Sequence, residues 1–153
     1  MKKAISVLLL LSLLLSGTAA LAKGVSSTVV RAFCDTWVST DDSGTAVEIW
    51  YKNGAFHCSA TRHIDVDRGY TLEYRKCRYS SKTGRLTCTG GVATREVRNK
   101  KTGKLESMVV RRNITSTFAL DKQRHLTWTV VKGKKIRIPL LPLDEFESKY
   151  GEH

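Results

Sequence analysis

The dipeptide Asn53-Gly54 stands between two alternating runs, Val47–Tyr51 and Phe56–Ala60. Asn and Gly both accept the positive φ that a two-residue type I′ turn demands, so this stretch closes into a β-hairpin. The loop length sets the register: Tyr51 opposite Phe56, Ile49 opposite Cys58, Val47 opposite Ala60. All six face one way and suit a core, while Glu48, Trp50, His57 and Ser59 face the other. A one-residue slip would turn the apolar set to water, so the pattern pins the pairing.

The same alternation runs on through the chain. Thr28–Thr40 reads as a first strand, ending at Asp41-Asp42-Ser43-Gly44. Ile64 and Val66 carry the third strand to a turn at Asp67-Arg68-Gly69. Tyr70, Leu72 and Tyr74 open a fourth, whose phase slips before Cys77 and Tyr79; a β-bulge near Arg75-Lys76 accounts for the slip. After the Lys82-Thr83-Gly84 turn come Leu86 and Cys88, a bend at Gly90-Gly91, and a strand Val92–Val97. Leu105–Leu120, Leu126–Val130 and Ile136–Leu141 follow, the last an edge strand because Pro139 lacks an amide proton. Asp144–Tyr150 is a short helix stopped by Gly151, with Asp144, Glu145 and Glu147 near its positive end. The class is therefore all-β. It is an antiparallel meander of about eight strands, closed as a small barrel or folded as a sandwich, with a short C-terminal helix. The many bulky inward side chains predict a filled interior.

Residues 1–22 carry a different pattern: Lys2-Lys3, an apolar run from Ala4 to Leu15, then Ala20-Leu21-Ala22. This is a cleavable signal peptide of bacterial type. Its apolar core is too short to span a bilayer, which takes about 20 residues. The expectation is a periplasmic or secreted protein, not an integral membrane protein, whose residues 23–153 form a single disulfide-stapled β domain. The four cysteines, Cys34, Cys58, Cys77 and Cys88, include no C-x-x-C pair. An even number in an exported chain reads as two disulfides. The register that pairs Tyr79 with Leu86 also sets Cys77 opposite Cys88, within reach of a bridge. Cys34–Cys58 follows by elimination. Two strands apart, however, these would lie about 9–10 Å from one another, and a bridge needs Cα atoms within about 7 Å. The first strand must bend over the sheet to make it.

The chain carries 26 Lys+Arg and 14 Asp+Glu, a net charge of +12. Loss of Lys2 and Lys3 leaves +10, and residues 68–137 alone hold 19 basic against 4 acidic side chains. So concentrated a field favours anionic partners. Catalytic signatures are missing: there is no G-x-S-x-G, no H-E-x-x-H and no phosphate-cradling glycine loop. His57 and His63 lie on one strand, about 20 Å apart, and cannot share a metal. Glu48, Asp65 and Asp67 do not form an acid pair, and turn aspartates serve local hydrogen bonds. A non-enzymatic protein without metal or cofactor is expected.

The expected binding site is Lys100, Lys101, Lys104, Lys132, Lys134, Lys135 and Arg137, with Tyr74 and Trp50 as contact aromatics. Alternate turns of a meander share an end, which brings the two lysine turns together. The partner is then an anionic polymer such as a polysaccharide, a lipid headgroup, or an acidic protein surface. Export argues against intracellular nucleic acid. The alternatives are a protein that docks or inhibits one specific protein, a small hydrolase, and a small-ligand carrier. The carrier requires that the meander close around a hole.

Overall fold

A computed structural model of the chain describes residues 24–41, 44–65, 68–132 and 134–151, with side chains described outside 63–68 and 131–136. The signal expected over 1–22, the turn at 66–67, Gly133 and His153 lie outside these residues, as do the side chains of His63, Asp65, Lys132, Lys134 and Lys135. The elements are α1 (Ser27–Phe33), β1 (Asp35–Ser39), β2 (Thr45–Lys52), β3 (Ala55–Asp65), β4 (Arg68–Glu73), β5 (Lys76–Ser80), β6 (Arg85–Arg98), β7 (Leu105–Leu120), β8 (Leu126–Lys132), β9 (Lys134–Pro142) and α2 (Leu143–Tyr150).

All strand pairs are antiparallel, and the sheet returns on itself. Going round, β2, β1, β9, β8, β7 and β6 are neighbours, and β6 meets β4 and β5, both of which reach β3, which pairs with β2 again. β4 and β5 thus share one place in the ring as a bent strand, broken at Tyr74-Arg75 where the sequence phase slips. Closure into a ring rather than a sandwich leaves no open edge along most of the circuit. The Asn53-Gly54 hairpin has the register its alternation demands, with Tyr51 opposite Phe56, Ile49 opposite Cys58 and Val47 opposite Ala60.

One end of the ring is packed solid. Phe56, Leu86, Phe118 and Leu126 fill it from the strands, and α1 lies across it. Phe33 of α1 meets the rings of Phe56 and Tyr79 edge-on, with centroids 6.1 and 5.8 Å away. The wholly buried Trp37 donates its indole N–H to the Phe33 carbonyl at 3.0 Å, so its one polar atom is satisfied. Burying side chains of this size contributes about 1.5–3 kcal/mol each.

Four expectations change. The chain from Ser27 to Phe33 is helical, not the start of a strand. Ser26 caps it by accepting from Val29 N, and the turn of helix places Val29, Val30 and Phe33 against the barrel end. The β-branched residues there imitate a strand because contact with the barrel, not propensity, decides their state. Second, Leu86–Cys88 and Val92–Val97 belong to one long strand, β6, which absorbs Gly90 at φ 65° as a bulge. Third, β9 is not an edge: it pairs with both β8 and β1. Pro139 is tolerated because its carbonyl accepts from Thr40 N just past the end of β1, so its ring nitrogen faces the side where β1 has stopped. Fourth, only Cys77 and Cys88 are joined, with Cα atoms 4.1 Å apart. Cys34 and Cys58 are free thiols. Asp35 opposes Ile49, and Ile49 opposes Cys58, so the strand interval that strains the Cys34–Cys58 pairing is present in the fold.

Candidate functional site

The opposite end of the ring is open. Directly opposed residues share a face, so the registers trace rows of inward side chains around the wall. The row nearest the mouth runs Thr45, Arg62, Tyr70, Arg95, Met108 across β2, β3, β4, β6 and β7. One step deeper lie Val47, Ala60, Leu72 and Ala93. Below those, Gly91 opposes Ile114. Ala60 and Ala93 present almost no side chain where the other end presents Phe and Leu. The result is a cavity of about 420 Å³, lined among others by Ala60, Leu72, Ala93, Val110, Ile114 and Trp128. The expectation of a filled interior holds for one end of the molecule and fails at the other, because the inward positions there carry small residues.

The floor of the cup is a small polar network. Tyr74 Oη donates to Ser116 Oγ at 2.5 Å, and Trp128 Nε1 donates to the same oxygen at 2.9 Å. Ser116 is fully buried. Burial pushes the Tyr74 hydroxyl well above its ordinary value, so it stays a neutral donor. Tyr74 is therefore a structural residue of the interior, not the surface aromatic that its basic neighbours suggest. Its place follows from β4: Tyr70, Leu72 and Tyr74 keep one inward phase up to the break. Gly91 is required beside it, since an added Cβ would come within 3.0 Å of both Ile114 Cβ and Tyr74 Cε1.

The rim is basic. Arg62 lines the cavity wall. Arg95 opposes Tyr70 and so faces the same side, and its Nε is buried without an acceptor among the described residues. A buried donor with no partner is uncommon in a folded protein. Neither arginine stands out in the charge pattern, which draws attention to lysine turns. The available signal is phase: after Phe56, Cys58 and Ala60, the next inward position of β3 is Arg62, and an inward arginine marks an open end.

The predicted basic cluster is placed as follows. The β6–β7 turn holds Lys100, Lys101 and Lys104, all exposed, and the β8–β9 turn runs through Lys132 and Lys134, which oppose one another. Both turns lie at the mouth end of the ring, and Arg137 is exposed on the outer face of β9, opposite Thr129. Trp50 is not brought to them. It sits near the Asn53-Gly54 turn at the packed end, 38 % exposed, and stacks on His57 with centroids 5.5 Å apart and planes 14° from parallel.

Ionisable chemistry away from the cup is local. His125 lies between Asp121 and Glu145, with Nε2 3.2 Å from Glu145 Oε1, and Lys149 Nζ donates to that oxygen at 2.6 Å. These contacts tie α2 to the β7–β8 turn. The buried Cys58 thiol is pushed up by desolvation, as is that of Cys34, with Asp35 adding to it. Among the described residues no group of His, Cys, Asp or Glu could hold a metal ion. No described helix is long and apolar enough to cross a membrane. No protein-family model, curated protein or solved structure matches the chain.

Proposed function

We propose that this chain is an exported, non-enzymatic binding protein that takes a small amphiphile into the open end of its barrel. The apolar part enters the cup and an anionic group meets Arg62 and Arg95. One observation carries the reading: an apolar cavity of about 420 Å³ opens at a rim where Arg95 holds a buried N–H with no acceptor among the described residues. Small-molecule sites of about 300–1,000 Å³ commonly combine apolar walls with a few placed polar groups, and eight-stranded barrels are just wide enough to hold one small ligand. The described lining contains no carboxylate, histidine or cysteine, which favours binding over turnover. An anionic partner is what the charge of the chain calls for; the cup gives that partner an apolar half and a place.

Titration with a fluorescent fatty-acid probe and its uncharged alcohol tests this. Saturable 1:1 binding is expected, with the acid at least tenfold tighter than the alcohol. The double variant Arg62→Gln, Arg95→Gln should lose the preference and keep the alcohol affinity. Absence of saturable binding, or equal affinity for acid and alcohol in the parent protein, would sink the proposal.

A further inference from the structure

β6 and β7 continue beyond the barrel as a two-stranded arm. From Ile114 onward β7 alternates buried and half-buried residues, but all of Leu105–Asn113 is exposed. β8 joins β7 only from Thr115, so the outer edge of the arm meets no strand among the described residues. Four apolar side chains stand in the open there: Leu105 at 58 % exposure, Met108 at 47 %, Val109 at 42 % and Val110 at 50 %. Met108 opposes Arg95 and shares the mouth side with Val110, which lines the cavity, while Leu105 and Val109 fall on the other face.

The arm ends in an ordered cationic turn. Asn99 Oδ1 accepts from the backbone N–H of Lys101 and Thr102, Asn99 N donates to Lys104 O, and Gly103 turns the chain at φ 67°. Arg98 Nη1 donates to Gly103 O. Lys100, Lys101 and Lys104 project from this frame, and among the described residues no carboxylate pairs with them. Arg111 and Arg112 lie at the base of the arm, and of its two acids Glu106 is engaged by Asn99 while Glu96, opposite Ser107, is exposed, so the basic side chains outnumber the acidic ones.

We infer that the β6–β7 arm docks on an anionic lipid surface. Charge alone would suit any polyanion, but a polyanion has no use for apolar side chains on both faces of a ribbon. A lipid interface takes both, with cations at headgroup level and apolar side chains at the acyl boundary. Pairing with a strand of another protein is disfavoured by Arg111 and Arg112 on the open edge, since edge charges oppose strand addition. The inference stands on the arm rather than the cup. If both hold, docking sets the mouth against the membrane, the source of amphiphiles.

Flotation with phosphatidylcholine vesicles, with and without phosphatidylglycerol, tests it. Recovery with the anionic vesicles should exceed that with neutral ones at least tenfold. Replacing Lys100, Lys101 and Lys104 with Gln should lower it by about fivefold per residue. Leu105→Ser with Val109→Ser should lower it at unchanged charge, and the loss should persist at high salt, where screening has removed the ionic part. The replaced side chains are exposed, and an unchanged near-ultraviolet spectrum shows that each variant is folded. Equal recovery with both vesicle types, or lysine variants that float like the parent, would overturn the inference. So would serine variants without effect, which would leave only a charge-seeking surface, or an arm-dependent dimer in sedimentation, which would give the edge to a second copy. None of these outcomes bears on probe binding in the cup, so the two proposals fail separately.

Discussion

The two ends of this barrel obey the same alternation and come out differently. At the α1 end the inward positions carry Phe56, Leu86, Phe118 and Leu126, all buried. At the mouth, positions of the same phase carry Thr45, Ala60, Ala93 and Tyr70, and a cavity remains. Periodicity decides which way a side chain points; volume decides whether a tier is core or site. The polar layer of Tyr74, Ser116 and Trp128 marks the boundary between the halves.

Mutations should separate the two ends by size of effect. Phe118→Ala removes a wholly buried ring stacked on Trp128 at 5.9 Å and should cost about 3–5 kcal/mol, read as a shift of the urea midpoint. A loss below 1 kcal/mol would mean the packed end is not the stabilising half. Ser116→Ala acts at the boundary. It strands two buried donors, Tyr74 Oη and Trp128 Nε1, and should cost about 1–3 kcal/mol while deepening the cup by little. Ala93→Leu acts in the cup, where there is room for the added carbons. It should leave the midpoint within about 1 kcal/mol of the parent, far from the cost of overpacking a filled core, and yet weaken probe binding at least tenfold. Large destabilisation by Ala93→Leu would erase the distinction between the ends.

The smallest effect belongs to α2. The Glu145 carboxyl is held below its ordinary value of 4.5, chiefly by the hydrogen bond from Lys149, with His125 adding to it. A depressed carboxyl stabilises the fold above its ordinary value, and the contribution disappears as pH falls through the folded-state one. Glu145→Gln should therefore be slightly less stable than the parent at pH 7 and indistinguishable from it near pH 3, as thermal melts at the two pH values would show. A difference that grows toward low pH would reverse the assigned sign.

Much of the ring was legible residue by residue. The Asn53-Gly54 register, the slip at Arg75-Lys76 and the Cys77–Cys88 bridge all follow from local spacing, because turn length and the two-residue period of a strand are short-range constraints. α1 was not legible, since Val29, Val30 and Phe33 are helical only by virtue of the barrel end they cover. Nor was the state of Cys34 and Cys58, which depends on how strands distant in sequence are spaced.

The site divides along the same line. Local pattern was enough to place the two lysine turns at one end and to keep Ala60 and Arg62 in the inward phase. It could not show that Ala60 and Ala93, on two strands with β4 between them, empty the same tier, or that Arg62 and Arg95 flank Tyr70 at one mouth. A cavity is a property of the volume enclosed by every wall together, and only closure of the ring assembles those walls.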